Sequence, residues 1–138
     1  MKTVAVDTNV LVRLATGDDA REHQAATAAL AVRPWRIFPT VLLETEWVLR
    51  SVYGFAPRQF ADFVAWLDAS PRIALVSGDA VRAAIAHHRA GLDFADALHL
   101  AQTDGEPFLT FDKALQRKAG KLGLRAEAVE KGPERASD

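Results

Sequence analysis

Four carboxylates stand where apolar neighbours predict burial: Asp7 ending "VAVD", Glu44 inside "VLLETEWVL", Asp96 inside "LDFADALHLA" and Asp112 closing "FLTFD". An ionised carboxylate buried without a partner costs several kcal/mol or more. The flanking segments offer no lysine or arginine at helical spacing to offset these charges. One such acid reads as a cap, whereas four in one chain ask for a shared cation. Oxygen donors in a chain without cysteine select a hard divalent ion, Mg2+ or Mn2+, ahead of zinc. The chemistry that four acids and one or two such ions serve is hydrolysis of a phosphodiester, through an acidified water and neutralisation of charge on the leaving oxygen.

Plainer readings exist for each acid alone. Asp7 reads as a strand-end cap, Glu44 as a surface acid on a mis-phased helix, and Asp112 as a helix N-cap. Asp93 precedes Asp96 by three residues and either shares its site or caps its helix. Glu46, two positions from Glu44, falls on another side of the helix and reads as solvated. His99 follows Asp96 by three and reads as a supporting or packed histidine, and the adjacent His87 and His88 as surface or core. Trp35, Trp47 and Trp66 read as core or dimer-surface residues. Lys113, Arg117 and Lys121 recur at i, i+4 and i+8 beside Asp112. They are a solvated helix face or a flank for a phosphate backbone.

The elements that must position these residues alternate along the chain. Thr3 to Asp7 predicts a buried strand, followed by a short helix through Val10, Leu11, Leu14 and Ala15 that stops at Gly17. An alanine-rich helix follows from about Asp19 to Val32, then a strand "RIF". Thr40 is the expected N-cap of a long helix carrying Glu44 and Trp47 on its apolar side, ended by Gly54. Pro57 starts the next helix, with Phe60, Phe63, Val64 and Leu67 inward, and "RIALV" reads as a strand. Helices at Asp79–Arg89 and near Asp93–Thr103, a strand Pro107–Phe111, a basic helix Asp112–Leu122 and a strand near Leu124–Val129 complete the order. Strands separated by helices predict a central, mostly parallel sheet of four to five strands covered by helices. Ligands of such sheets collect beyond the carboxyl ends of the strands, where Asp7 and Asp112 fall.

At 138 residues, about half of them apolar and with a net charge of −1, the chain reads as one domain, residues 1–129. The polar, Gly/Pro-containing stretch 130–138 reads as a disordered or partner-ordered tail. Absence of cysteine excludes disulfides, iron–sulfur clusters and thiol nucleophiles. No apolar run nears the roughly 18 residues of a membrane span, and Met1-Lys2 leads directly into a strand, so the expected compartment is the cytoplasm. The near-neutral balance argues against a broad basic surface but not against a local basic groove.

"VDTNVLVRL", "PTVLLETEWVLRSVYG", "GLDFADALHLA" and "FLTFDKAL", in this order and spacing, resemble a PIN domain, and more closely the VapC-type toxins of type II toxin-antitoxin modules. The likeness runs from Lys2 to about Val129. It implies a PIN-like three-layer α/β fold and Mg2+- or Mn2+-dependent endoribonuclease activity, with Asp7, Glu44, Asp96 and Asp112 as the acids. Thr8 and Asn9 match polar residues that orient the first acid and its water, and Thr110 a hydroxyl beside the last. Asp93 matches a position that is not always acidic. The resemblance also implies a homodimer and inhibition by a small VapB-type antitoxin that blocks the acidic pocket and binds operator DNA. The same residues admit two rival readings. A haloacid-dehalogenase-like phosphatase needs a second aspartate two residues after Asp7, and Asn9 cannot protonate a leaving group. A non-catalytic PIN-type RNA-binding scaffold would tolerate loss of acids, yet all four are retained.

Overall fold

A computed structural model of the chain describes residues 2–132. Five strands alternate with seven helices: β1 (Val4–Ala5), α1 (Thr8–Thr16), α2 (Ala20–Val32), β2 (Trp35–Ile37), α3 (Pro39–Ser51), α4 (Pro57–Ala69), β3 (Ile73–Leu75), α5 (Gly78–Arg89), α6 (Phe94–Ala101), β4 (Phe108–Thr110), α7 (Lys113–Lys121) and β5 (Ala126–Ala128). Every strand pairing is parallel, as helical connections between consecutive strands require. The strands form two hydrogen-bonded groups, β1-β2-β3 and β4-β5, where one continuous sheet was expected. β1 is only two residues long and bonds through Val4 N–H to Pro34 O and Val6 N–H to Arg36 O. The chain then leaves the strand direction at Asp7 to begin α1, which leaves little backbone for a second ladder.

One core joins helices and strands, with Trp35, Ile37, Leu42, Leu49, Phe60 and Phe94 among its fully buried side chains. Each contributes about 1.5–3 kcal/mol by leaving water. Phe60 of α4 meets Phe94 of α6 edge to face at 4.9 Å between ring centroids, and His88 of α5 lies edge-on to both. The buried His88 ring donates from Nδ1 to Leu92 O at 2.7 Å, since a carbonyl only accepts. These contacts fix the turn that leads into α6, and with it the placement of Asp93 and Asp96.

Most boundaries lie within a residue or two of the expected ones, and α3 is the informative exception. Thr40 does not cap it: Phe38 is the N-cap, without a side-chain bond, and Pro39 occupies the first turn. Proline's fixed φ suits that position, and its missing amide removes one donor that a cap would have satisfied. The inner face is Leu42, Thr45, Glu46 and Leu49, so Trp47 points outward at 58% exposure and Glu46 is buried, the reverse of the expectation for Glu46. Apolar residues occur on every side of this helix and therefore do not define its phase. The carboxylate of Glu46 is tolerated because Arg50, one turn later, donates from Nε at 2.8 Å and from Nη2 at 3.4 Å.

Among the described residues no helix is long and apolar enough to cross a membrane. Of the expected tail, residues 133–138 lie outside the described ones.

Candidate active site

Three of the acids sit at helix N-termini. Asp7 is the N-cap of α1 and accepts from Thr8 N–H at 2.7 Å; Asp93 caps α6 through Asp96 N–H at 3.3 Å; Asp112 caps α7 through Leu115 N–H at 3.0 Å. A carboxylate there satisfies an orphan amide and meets the positive end of the helix dipole. The capping alternatives for Asp7, Asp93 and Asp112 are thus realised, but capping leaves one oxygen of each carboxylate free. Asp7 follows β1 and Asp112 follows β4, so both lie at the carboxyl ends of parallel strands.

Burial was expected for all four principal acids and holds only in part. Asp7, Glu44 and Asp112 are exposed, and Asp96 is half-buried. Beside Glu44 the buried neighbours Leu42 and Thr45 pack inward, whereas beside Asp112 the apolar neighbours Leu109 and Phe111 are themselves exposed. None of Asp7, Glu44, Asp93, Asp96 and Asp112 forms an ion pair among the described residues, whereas seven other acids are paired with arginines.

Two groupings emerge. Thr8, buried at the start of α1, donates its hydroxyl to Glu44 Oε1 at 3.3 Å and so ties α1 to α3 beside Asp7. Its hydroxyl therefore holds the helix acid, while its backbone amide holds the first acid. In the second grouping the Asp96 carboxyl is pushed above the ordinary carboxylate range, first by burial, then by the negative charges of Asp93 and Asp112. His99 and Lys118 offset this only in part. Thr110 accepts from Asp112 N–H at 3.0 Å through its hydroxyl, and Gln116 Nε2 donates to Thr110 O at 3.0 Å, so the β4–α7 turn is fixed on both sides of Asp112.

Among the described residues no three carboxylate or imidazole groups converge tightly enough to hold a metal outright. The donors nevertheless fit a hard divalent cation in chemistry and charge: all are carboxylate oxygens, none is neutralised by a basic side chain, and Asp96 carries the repulsion of its neighbours. Asn9 is exposed and lines a cleft with Asp7 and Glu44. Lys113, Arg117 and Lys121 lie exposed on α7, as a basic stripe should. The lysine that acts on Asp96, after His99, is Lys118, which lies outside that stripe.

A family model described as PIN domain matches residues 4–121. The chain belongs to the PIN-domain family. No curated protein matches it. PIN domains are in general metal-dependent nucleases, and the acids of this PIN domain lie on α3 and at the starts of α1, α6 and α7. Two further features escaped the sequence reading. Arg50, anchored by Glu46, is held above its ordinary pKa by that carboxylate and also feels Asp93. Arg13 of α1 bonds Asp18 at 2.9 Å and Glu22 at 2.6 Å, and Tyr53 donates to Asp18 at 2.7 Å. The tyrosine first, then the Thr16 hydroxyl at 2.9 Å, and after them Arg13, hold Asp18 down at about 2.

Proposed function

We propose that this PIN domain is a Mg2+- or Mn2+-dependent endoribonuclease, the toxin of a type II toxin-antitoxin module of the VapBC kind. In this reading it acts in the cytoplasm as a homodimer, restrained by a small VapB-type antitoxin that carries the complex to operator DNA. The observation that carries the nuclease reading is the set of acids without ion pairs in a protein that pairs seven others with arginine. The cost falls on Asp96, which is half-buried and repelled by Asp93 and Asp112, and a cation bound there would relieve it.

Asp7, Asp96 and Asp112 are the residues that would hold the ion, with Glu44 binding directly or orienting the attacking water, and Asp93 an additional donor. When bound, the ion supplies the positive charge that acidifies water and offsets charge on the leaving oxygen. The chain's own part is positional. Helix-start amides hold one oxygen of Asp7, Asp93 and Asp112, Thr8 steadies Glu44, and Thr110 steadies the turn of Asp112. The stripe Lys113, Arg117 and Lys121 would meet the phosphate backbone beside Asp112.

The deciding experiment incubates the purified chain with structured RNA and Mg2+ or Mn2+, with and without EDTA, beside Asp7→Asn. Metal-dependent cleavage that the substitution abolishes is expected. Cleavage in EDTA, or full activity of Asp7→Asn, sinks the mechanism. Hydrolysis of small phosphomonoesters with RNA left intact would instead identify a phosphatase, and RNA binding without cutting a scaffold. Growth arrest on expression of the chain alone, relieved by the adjacent small gene, tests the toxin assignment separately.

A further inference from the structure

We propose that the cleft between α1 and α3 is a nucleobase subsite, which takes one unstacked base of single-stranded RNA beside the phosphate to be cut. The subsite rests on the nuclease reading of the neighbouring acids. The cleft has a volume of about 350 Å3, within the roughly 300–1,000 Å3 of small-ligand pockets. Glu44, Val48 and Val52 line it at i, i+4 and i+8 along α3 and its C-terminal turn, and Asn9 and Arg13 line it at i and i+4 along α1. Two side-chain bonds join these walls. The Thr8–Glu44 bond lies at the acid end, and Arg13 Nη1 donates to the Tyr53 hydroxyl at 3.4 Å at the other. The stretch of α1 from Asp7 to Arg13 separates the ends by roughly 9 Å, at ~1.5 Å per residue.

The charges favour a base over a phosphate. Arg13 is the cleft's one cation, and both Asp18 and Glu22 already neutralise it. A phosphate entering would therefore meet Asp7 and Glu44 without a free positive partner. A neutral, flat group meets no such penalty, and Asn9 offers both a donor and an acceptor to its edge. The walls also leave apolar surface in water: Val52 is 66% exposed, and Val48 and Tyr53 are half-buried.

Tyr53 is prepared for this role before any ligand arrives. Its hydroxyl donates to Asp18 Oδ2 at 2.7 Å and accepts from Arg13, which limits the ring's freedom and the entropy lost on stacking. Gly54, at φ +69°, reverses the chain directly after it, a conformation that a side chain at this position would strain. Unpaired bases stacking on aromatic rings are the commonest means by which proteins recognise single-stranded RNA.

The test measures binding of a short unstructured RNA to Asp7→Asn protein in EDTA, by fluorescence anisotropy across a salt series. Tyr53→Ala is expected to weaken binding about tenfold with the salt slope unchanged, because a base contact neutralises no phosphate. Tyr53→Phe, which keeps the ring but loses its two hydroxyl bonds, should restore most of the affinity. A merely structural tyrosine would not distinguish RNA from RNA, so a single abasic position is moved along the strand. One such position should weaken binding to the tyrosine protein about tenfold and have no effect on Tyr53→Ala. If Tyr53→Ala does not fold, the abasic series on the tyrosine protein decides alone. Equal affinity for intact and abasic RNA, no measurable RNA binding, or a loss that appears as a changed salt slope overturns the subsite. Absence of cleavage by the unsubstituted chain despite base-dependent binding would instead remove the nuclease reading and leave the subsite standing.

Discussion

Asp112 has a structural and a proposed chemical task, and two substitutions separate them. Its Oδ1 accepts from Leu115 N–H at 3.0 Å, the N-cap bond of α7. Asparagine caps as well as aspartate, whereas alanine at an N-cap costs about 1 kcal/mol. For a chain of this length, with unfolding entropy of about 2.1 cal/mol/K per residue, that cost lowers Tm by about 3–4 °C. Asp112→Asn also removes one of the charges that disfavour ionised Asp96, which offsets the lost interaction with the α7 dipole, so the metal-free variant should be about as stable as the original protein. Magnesium adds a second reading. At a hundredfold excess over Kd, an ion that binds only the folded chain stabilises it by about 2.7 kcal/mol. If Asp112 supplies a ligand, both variants lose most of that increment. Urea unfolding and thermal scans in EDTA and in Mg2+ give all four quantities. Equal destabilisation by asparagine and alanine in EDTA would refute the capping argument, and an undiminished Mg2+ shift in Asp112→Asn would remove Asp112 from the ligand set.

The Asp96 carboxyl should titrate above its ordinary value of 3.8 in the metal-free protein and fall in Asp112→Asn, observed by carbon NMR of the side chain. A raised carboxyl pKa means that the fold favours the neutral form, a preference fully present below pH 3.8 and lost as pH rises through the folded value. Asp96→Asn should therefore stabilise the metal-free chain at pH 7 and lose that advantage in acid, as unfolding measured against pH will show. Asp18 has the opposite sign: its depressed pKa contributes stability above pH 3.8 that is lost as pH falls toward about 2. Tyr53→Phe removes the largest cause of that depression and should bring the loss to higher pH, detectable in the same titration. Arg50→Met strands the buried carboxylate of Glu46 and should cost roughly 1–3 kcal/mol, while Glu46→Leu with Arg50→Met should recover most of it, both by urea denaturation.

The alternation of strands and helices was legible because the apolar runs between turn residues are short and clearly bounded. "VAVD", "RIALV" and "FLTFD" each lead to a strand, and Gly17, Pro57 and Gly91 lie at or just beside helix ends. The phase of α3 was not legible: Val41, Leu42, Leu43, Trp47, Val48 and Leu49 surround the helix, and only its contacts choose Glu46 over Trp47 for the interior. The acids were identifiable by their contrast with apolar neighbours. Their exposure was misjudged for the same reason: an apolar flank does not say where the acid points, and at Asp112 the flanking Leu109 and Phe111 are themselves exposed. Arg13 and Asp18 lie five residues apart, but Tyr53 comes from beyond the end of α3, so no local pattern could have joined all three.

The use of helix caps as acids sets a limit on denticity. Asp7 gives Oδ1 to an amide, Asp93 gives Oδ2 and Asp112 gives Oδ1, so each presents one uncommitted oxygen. A cation that met the uncommitted oxygens would gain one contact from each and complete its shell with water. Mg2+, which keeps several waters in a compact octahedron, suits such one-point donors, whereas Ca2+ draws on six to eight oxygens and on carboxylates that chelate with both. If these acids hold the ion as proposed, the bonds that start α1, α6 and α7 would favour one of two ions of equal charge.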